Sequence, residues 1–350
     1  MPDEYEPTPG PPTSPRWGKV GAPGGHALPT MTLNPLRNGW FFPVHETPIR
    51  ATVTRNGATM DVIVPHKKAL VAADTGEIVG VVGDGYKVFT NREAVDLCQK
   101  FCLDAFPDTK AAEWMFVDGH GPGTRSWAAL DIHHQSHTMN LMDIPGGPSE
   151  VFTPYVRITN SYNGTRALRV DVGFLRKHCG NGVIFEQQAA TLSVPHTRQG
   201  IRTLKVARPF VGMAALREKF ANALAGVRAV AVTQDQALQL VRLVIGWPKL
   251  PEDPKAWELT DQTRLDADLD ARLGGYFRDL DANAYAAFNT MTDIASHPPQ
   301  SPRFRRDRPS LERRAGAWLR DFTIAAAEPG FSIPAHLEKL AKPAQTSQEN

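Results

Sequence analysis

The stretch TNSYNGTRALRVDVGFLRKHCGNGVIF, Thr159–Phe185, predicts a β-hairpin in the middle of the chain. Its two Asn-Gly pairs favour the positive φ angles that tight hairpin turns require. The stretch also carries three arginines, one lysine and the neighbours His178 and Cys179. Two interpretations are open at this point: a basic surface that grips a ligand, or a His-Cys pair that does chemistry.

The composition predicts a folded protein without a strong overall charge. With 350 residues, 41% of them apolar, the chain can bury a sizeable core. Its 39 basic and 37 acidic residues nearly balance, so any nucleic-acid interface must come from local charge. Three cysteines without a CxxC pair argue against a disulfide framework and a four-cysteine zinc site. Because we find neither a signal peptide nor a membrane-spanning run, we predict a cytoplasmic protein with no membrane association.

Turn and cap signals on both sides of this stretch indicate an α+β fold. The pair Asn56-Gly57 and the turn Asp74-Thr75-Gly76 each lie between β-rich arms, which predicts two antiparallel hairpins near the N-terminus. A packed helix follows, with Thr90 and Glu93 in capping-box spacing. After residue 208 the apolar residues recur at helical intervals, which predicts a mostly α-helical C-terminal half.

Composition and these local patterns predict four segments in the chain. Residues 1–38 form a disordered leader rich in Pro and Gly, because such a composition cannot bury enough apolar surface to fold. Residues 39–208 form the β-rich core domain, and residues 209–338 form the helical C-terminal region. Residues 339–350 form a disordered polar tail.

Local charge around the opening stretch predicts a nucleic-acid interface. Between Pro154 and Phe210 the chain has nine basic residues and two acidic ones. Guanidinium groups pair with phosphate oxygens and aromatic rings stack on unpaired bases, so such an interface needs no catalytic group. An ordinary solvated sheet face is the alternative. The predicted contacts are Arg157, Arg166, Arg169, Arg176 and Lys177 to phosphates, and Tyr155 and Tyr162 to bases.

A second basic cluster, SPRFRRDRPSLERRAGAWLR at residues 301–320, contains seven arginines and two acidic residues. Its predicted nucleic-acid contacts are Arg303, Arg305 and Arg306. The stretch Glu252–Asp281 is rich in acid. A contact between these oppositely charged regions, within one chain or between subunits, is therefore the alternative.

An enzyme is the competing class of protein. Neighbours on a strand point to opposite faces, so His178 cannot activate Cys179 in regular β structure. His133 and His137 share a face and could ligate a metal, but zinc needs a third and usually a fourth ligand, such as Asp131 or Asp143. We favour structural roles for these residues and predict no cofactor.

Three motifs together resemble a known family. They are DTGEIVGVVGDGYKVFTNREAVDL, PYVRITNSYNGTRALRVDVGFLRKHCGNG, and AYAAFNTMTDIASH followed by the arginine-rich segment. On these motifs the chain from Lys67 to Leu319 resembles the phage and plasmid-like proteins of domain of unknown function 932. The resemblance implies a cytoplasmic protein of mobile elements or prophages and supplies no particular activity.

The order of elements, hairpins followed by a helix at Thr90, is also similar to the core of ring-forming single-strand annealing proteins. That similarity implies a basic groove for single strands and no cofactor. We therefore predict a mobile-element protein of DNA metabolism that binds single-stranded DNA or RNA, promotes strand annealing and forms a homo-oligomer. A protein-interaction or anti-defence factor that contacts a host protein is the alternative.

Overall fold

A computed structural model describes residues 39–105, 110, 113–134, 139–142, 150–177, 180–185, 191–206 and 213–342. The described residues belong to one compact unit. The predicted leader lies outside the described residues, and so does the predicted tail from residue 343 onward.

A three-stranded antiparallel sheet opens the described chain. Its strands are β1 (Val44–Arg55), β2 (Ala58–Ala72) and β3 (Ile78–Gly83), arranged in the order β1-β2-β3. Asn56 and Gly57 connect β1 to β2 with φ angles of 52° and 77°, values that these two residues tolerate better than others do. The two predicted N-terminal hairpins are confirmed.

The outer part of the β1–β2 hairpin has one apolar face and one polar face. Val53 pairs with Met60, and Val62 follows on the same side of the ribbon. All three side chains are exposed. On the other side, Thr52 donates a hydrogen bond of 2.8 Å to Asp61 Oδ1. This part of the hairpin therefore holds an apolar surface in solvent.

A larger antiparallel sheet forms the centre of the fold. The strands are β4 (Trp114–His120), β5 (Trp127–His134), β6 (Met139–Met142), β7 (Glu150–Ser161), β8 (Leu168–Arg176), β9 (Gly182–Ile184) and β10 (Thr191–Val194). The main path of the sheet runs in the order β10-β8-β7-β5-β4, with β6 paired to β7 and β9 paired to β8. The opening stretch supplies the end of β7 and all of β8 and β9, and Gly164 turns the β7–β8 connection with a φ of 73°.

Helix α1 (Asn91–Ala105) contacts β4, β5 and β7. The Thr90 N–H donates to Glu93 Oε2 at 2.8 Å, and the Glu93 N–H donates to Thr90 Oγ1 at 3.2 Å, which confirms the predicted capping box. Cys98 and Cys102 are fully buried in the main core. Burial raises the pKa of both thiols, so these cysteines behave as small apolar residues.

The second half of the described chain is mostly helical. The predicted fold class, antiparallel hairpins with a packed helix followed by a helical C-terminal half, is confirmed. The helices are α2 (Arg198–Val206), α3 (Met213–Arg228), α4 (Gln234–Ile245), α5 (Ala256–Leu280), α6 (Ala284–Ser296), α7 (Arg308–Ala326) and α8 (Ile333–Ala341).

Helix α7 lies directly against strand β9. A Cβ added at Gly316 would lie 1.8 Å from the carbonyl oxygen of Ile184. Only glycine permits this approach, because any side chain at that position would overlap the β9 backbone. The close contact brings the polar side chains in the first two turns of α7 onto the central sheet.

Candidate functional site

The central sheet carries charged residues on a buried face. Arg157 on β7 lies between Asp131 on β5 and Asp171 on β8, in direct register with both. All three side chains are buried. Successive residues on a strand alternate in direction, so the neighbours Val156 and Ile158 face the opposite, apolar side. Charges of both signs therefore meet inside the protein.

Arg157 is the centre of this network. Its Nε and Nη2 donate to the two oxygens of Asp131 at 2.5 and 2.6 Å, a bidentate geometry that fixes both side chains. Its Nη1 donates to Glu312 Oε2 on α7. Tyr155 Oη donates to the same Glu312 oxygen at 3.0 Å. We call Asp131, Arg157 and Glu312 the buried triad.

The buried triad is held in its charged form. Burial by itself would raise the pKa of Asp131, but the adjacent Arg157 guanidinium more than compensates and holds that pKa below its usual range. Burial likewise opposes ionisation of Glu312, and Arg157 and Arg308 together lower its pKa. Both carboxylates are therefore ionised near neutral pH.

Two residues connect the buried triad to the surface. His120 Nε2 lies 3.2 Å from Asp131 Oδ2. Arg308 Nε donates to Glu312 Oε1 at 2.7 Å, and a quarter of the Arg308 side chain is exposed. Both residues line the same cleft, so one end of the triad opens to solvent through them.

The cleft has a volume of about 440 Å³ and two indole rings in its wall. Its lining residues are Trp40, Gly119, His120, Gly121, Pro122, Trp127, Asp307, Arg308 and Pro309. A Cβ added at Gly119 would lie 2.5 Å from Trp40 Nε1. The absence of a side chain at Gly119, near the end of β4, thus lets an indole ring lie directly on the backbone.

Arg166 lies at the edge of this cleft. Its guanidinium lies over the ring of Trp127, 3.6 Å from the centroid, a cation–π contact. Its Nη2 donates to Asp307 Oδ2 at 3.2 Å. Asp307 belongs to the second basic cluster, so the structure brings the two predicted basic regions together at this point.

Three of the predicted contacts are not at the surface, and this corrects their predicted role. Arg157, Tyr155 and Tyr162 each expose 1% or less of their area. Arg157 and Tyr155 serve the buried triad, and Tyr162 Oη accepts the N–H of Asn91 at 3.0 Å. A phosphate or base cannot reach these three side chains, because the sheet and the helices cover them.

The other basic residues of the opening stretch keep partial access to solvent. Arg169 donates to Asp171 at 2.7 Å and is about a quarter exposed. Arg176 is held more deeply by Glu150, with Nε donating at 2.6 Å. Lys177 is exposed. Arg166, Arg169 and Lys177 therefore each keep a solvent-accessible part of the side chain.

The second basic cluster is divided between internal contacts and solvent. Arg303 donates through Nη1 to the carbonyl oxygen of Glu258 at 3.1 Å, a contact with the acid-rich segment that the sequence offered as the alternative. Arg306 is exposed, and its guanidinium lies beside Gly246 at the end of α4. Arg305 is exposed and donates to the carbonyl oxygen of Pro302 at 2.9 Å.

The residues of the enzyme alternative are only partly described. His178, Cys179, His137 and Asp143 lie outside the described residues. His133 packs against Tyr155, with ring centroids 5.1 Å apart, and removal of its ring from water lowers the pKa of His133 to about 4. Within the described part of the chain, no group of three His, Cys, Asp or Glu side chains could hold a metal ion.

Sequence reasoning missed several residues of the site. It did not single out Glu312, Arg308, His120, Trp40 or Trp127. One available signal was a lone charge between apolar neighbours on a strand, Arg157 within VRI and Asp131 within LDI. Such a charge is buried only with a partner of opposite sign, so the two could have been paired.

A comparison with protein-family models matches residues 78–318, more than half of the chain, to a domain of unknown function. The chain belongs to the DUF932 family. The DUF932 range contains the buried triad, Arg308 and Trp127, and it excludes Trp40. The predicted family is confirmed, and the link to phages and plasmids stays a prediction.

No curated protein and no solved structure gives a significant match. No helix among the described residues has the length and apolarity that a membrane span requires.

Proposed function

We propose that this DUF932 protein binds single-stranded nucleic acid on a surface centred on the cleft. The observation that carries the proposal is the stack of Arg166 on Trp127 at the edge of a cleft lined by Arg308. Cationic and aromatic side chains together bind single strands, because guanidinium groups contact phosphates and indole rings stack on bases. Binding of this kind requires no catalytic group.

The arrangement of exposed cations supports a path for a strand beyond the cleft. Arg166 contacts Asp307, and Arg305 and Arg306 precede Asp307 in the chain and are exposed. Arg169 lies on the strand that follows Arg166. These side chains lie on the two chain segments that the contact between Arg166 and Asp307 joins.

Strand annealing by a homo-oligomer is the finer form of this proposal. Its support is the order of the first hairpins and helix α1, which is similar to that of ring-forming annealing proteins. We expect the full chain to accelerate pairing of complementary oligonucleotides and to sediment as an oligomer. The resemblance to phage and plasmid-like proteins is the basis for proposing a role in mobile-element DNA metabolism.

Binding of labelled oligonucleotides across a salt series tests the proposal. We expect tighter binding to single strands than to duplexes, with affinity that falls steeply as salt rises. Arg166→Met should weaken binding to all sequences and reduce the salt slope by about one. Trp127→Leu should cost about 1–3 kcal/mol of binding free energy if one base stacks on the indole.

Arg217→Met is the matched control, because Arg217 is an exposed arginine of α3. It should leave affinity and salt slope nearly unchanged. Absence of binding at low salt would refute the proposal that this protein binds nucleic acid. An equal loss of affinity in Arg166→Met and Arg217→Met would show that the strand binds to positive charge in general and not to the surface around the cleft.

A further inference from the structure

Arg308 is held at the cleft by a fully buried carboxylate. Its Nε donates to Glu312 Oε1 at 2.7 Å. Glu312 is fully buried and also accepts hydrogen bonds from Arg157 and Tyr155. The two Nη groups of Arg308 make no hydrogen bond to any described residue. They form an ordered fork of donors at the cleft, the arrangement that suits phosphate oxygens.

His120 is positioned in a similar way. Its Nε2 is 3.2 Å from Asp131 Oδ2, and Asp131 is fixed by Arg157. Its Nδ1 lies 3.9 Å from Asp118 Oδ2, beyond hydrogen-bond distance. His120 therefore adds a second polar side chain to the cleft, beside Arg308.

The acidic residue of the cleft does not cancel these donors. Asp307 Oδ1 accepts the N–H of Ser310 at 2.9 Å as the N-cap of α7, and its Oδ2 accepts from Arg166 at 3.2 Å. The N-terminal end of α7 carries a partial positive charge that also favours an anion. The Nη donors of Arg308 and this end of α7 thus favour an anionic oxygen in the cleft.

The size of the cleft limits how much of a strand it can hold. Its volume of about 440 Å³ is near the lower end of small-molecule pockets, which span about 300–1,000 Å³. Such a space suits one nucleotide rather than a continuous run of them. A terminal phosphate carries close to two negative charges at neutral pH, whereas a phosphodiester inside a strand carries one.

We propose that the cleft binds the phosphorylated end of a single strand, with the Nη groups of Arg308 on the terminal phosphate and the last base against Trp40 and Trp127. This inference rests on the proposed function, since it assigns one part of the strand to one part of the same surface. It goes further by giving the protein a preference for strand ends.

The test measures binding of the full chain to internally labelled 20-mers with a 5′-phosphate, a 3′-phosphate or two hydroxyl ends, and to a circular strand. We expect one phosphorylated end to bind at least about tenfold more tightly than the hydroxyl and circular strands, as a charge-assisted contact would give. Arg308→Lys should abolish that preference, because lysine keeps the charge and lacks the fork of donors.

Arg217→Lys is the matched control and should retain the preference, because Arg217 is an exposed arginine of α3 that does not line the cleft. Equal binding of phosphorylated and circular strands would overturn the inference and leave the proposed function intact. Absence of binding to every strand would instead overturn the proposed function. Competition by deoxyadenosine monophosphate as strong as that by the phosphorylated strand would overturn the assignment to strand ends and identify a free nucleotide as the ligand.

Discussion

Replacement of Arg157 by methionine removes a cation that donates hydrogen bonds to both carboxylates of the buried triad. Asp131 loses hydrogen bonds of 2.5 and 2.6 Å and keeps His120 at 3.2 Å. Glu312 keeps Arg308 and Tyr155. Breaking a buried ion pair by removing one partner costs about 3–5 kcal/mol, because the other charge stays buried. We expect a loss of that size in the free energy of unfolding.

The pH dependence of this loss tests its cause. In the parent protein the folded-state pKa values of Asp131 and Glu312 are lowered. Their contribution to stability is therefore present above the unfolded-state pKa and is lost as pH falls through the folded values. In Arg157→Met, burial without the cation raises the pKa of Asp131 and of Glu312. Both carboxylates then become protonated as pH falls, and the cost of burying their charges is removed. The stability difference between parent and variant should shrink as pH falls from about 7 to about 4.

Urea denaturation followed by circular dichroism measures both quantities. Arg305→Met is the control, since exposed substitutions usually change stability by no more than about 0.5 kcal/mol. Adding Asp131→Asn to Arg157→Met should restore part of the loss by removing the orphaned charge. A loss below about 1 kcal/mol, the value of a surface ion pair, would refute the reasoning, as would a difference that grows on acidification.

Three further changes probe other parts of the fold. Burial lowers the pKa of His196 to about 4, below the usual histidine value of about 6.5. The free energy of unfolding in urea should therefore fall by up to about 3 kcal/mol as pH decreases from about 6.5 to about 4. His196→Phe should remove that decrease. Gly316→Ala should lower the melting temperature, because its Cβ would lie 1.8 Å from the Ile184 carbonyl oxygen, whereas Gly275→Ala, with 3.9 Å to its nearest neighbour, should raise it. Thr233→Ala removes the capping box of α4 and should cost about 1 kcal/mol in urea unfolding.

The elements that the sequence predicts correctly depend on neighbours along the chain. Asn56 and Gly57 form the first hairpin turn because both accept positive φ. Thr90 and Glu93 begin α1 through hydrogen bonds between residues three apart. Backbone preferences and caps of this kind require no knowledge of the tertiary structure, so the α+β order of elements follows from them.

The site depends on contacts that no local pattern contains. Arg157 reaches Asp131 across 26 residues and Glu312 across 155. These pairs require the register of β5 with β7 and the approach of α7 allowed by Gly316. Counting charge between Pro154 and Phe210 treated every arginine there as a surface residue. Arg166 keeps partial access to solvent, whereas Arg157 is fully buried, and the count overlooked the apolar neighbours of Arg157 in VRI.

The position of the buried triad supports a role beyond stability. Replacing a buried ion pair by apolar residues of similar size is often neutral or stabilising, so the fold alone gives little reason to keep three charges beneath α7. Glu312 joins Arg157, which is fully buried, to Arg308, which lines the cleft. Because Arg157 fixes Glu312 and Glu312 fixes Arg308, the triad orients the donors that the proposed strand end would meet. Preorganised donors lose less entropy when a ligand binds, and this advantage accounts for the buried charges better than folding stability does.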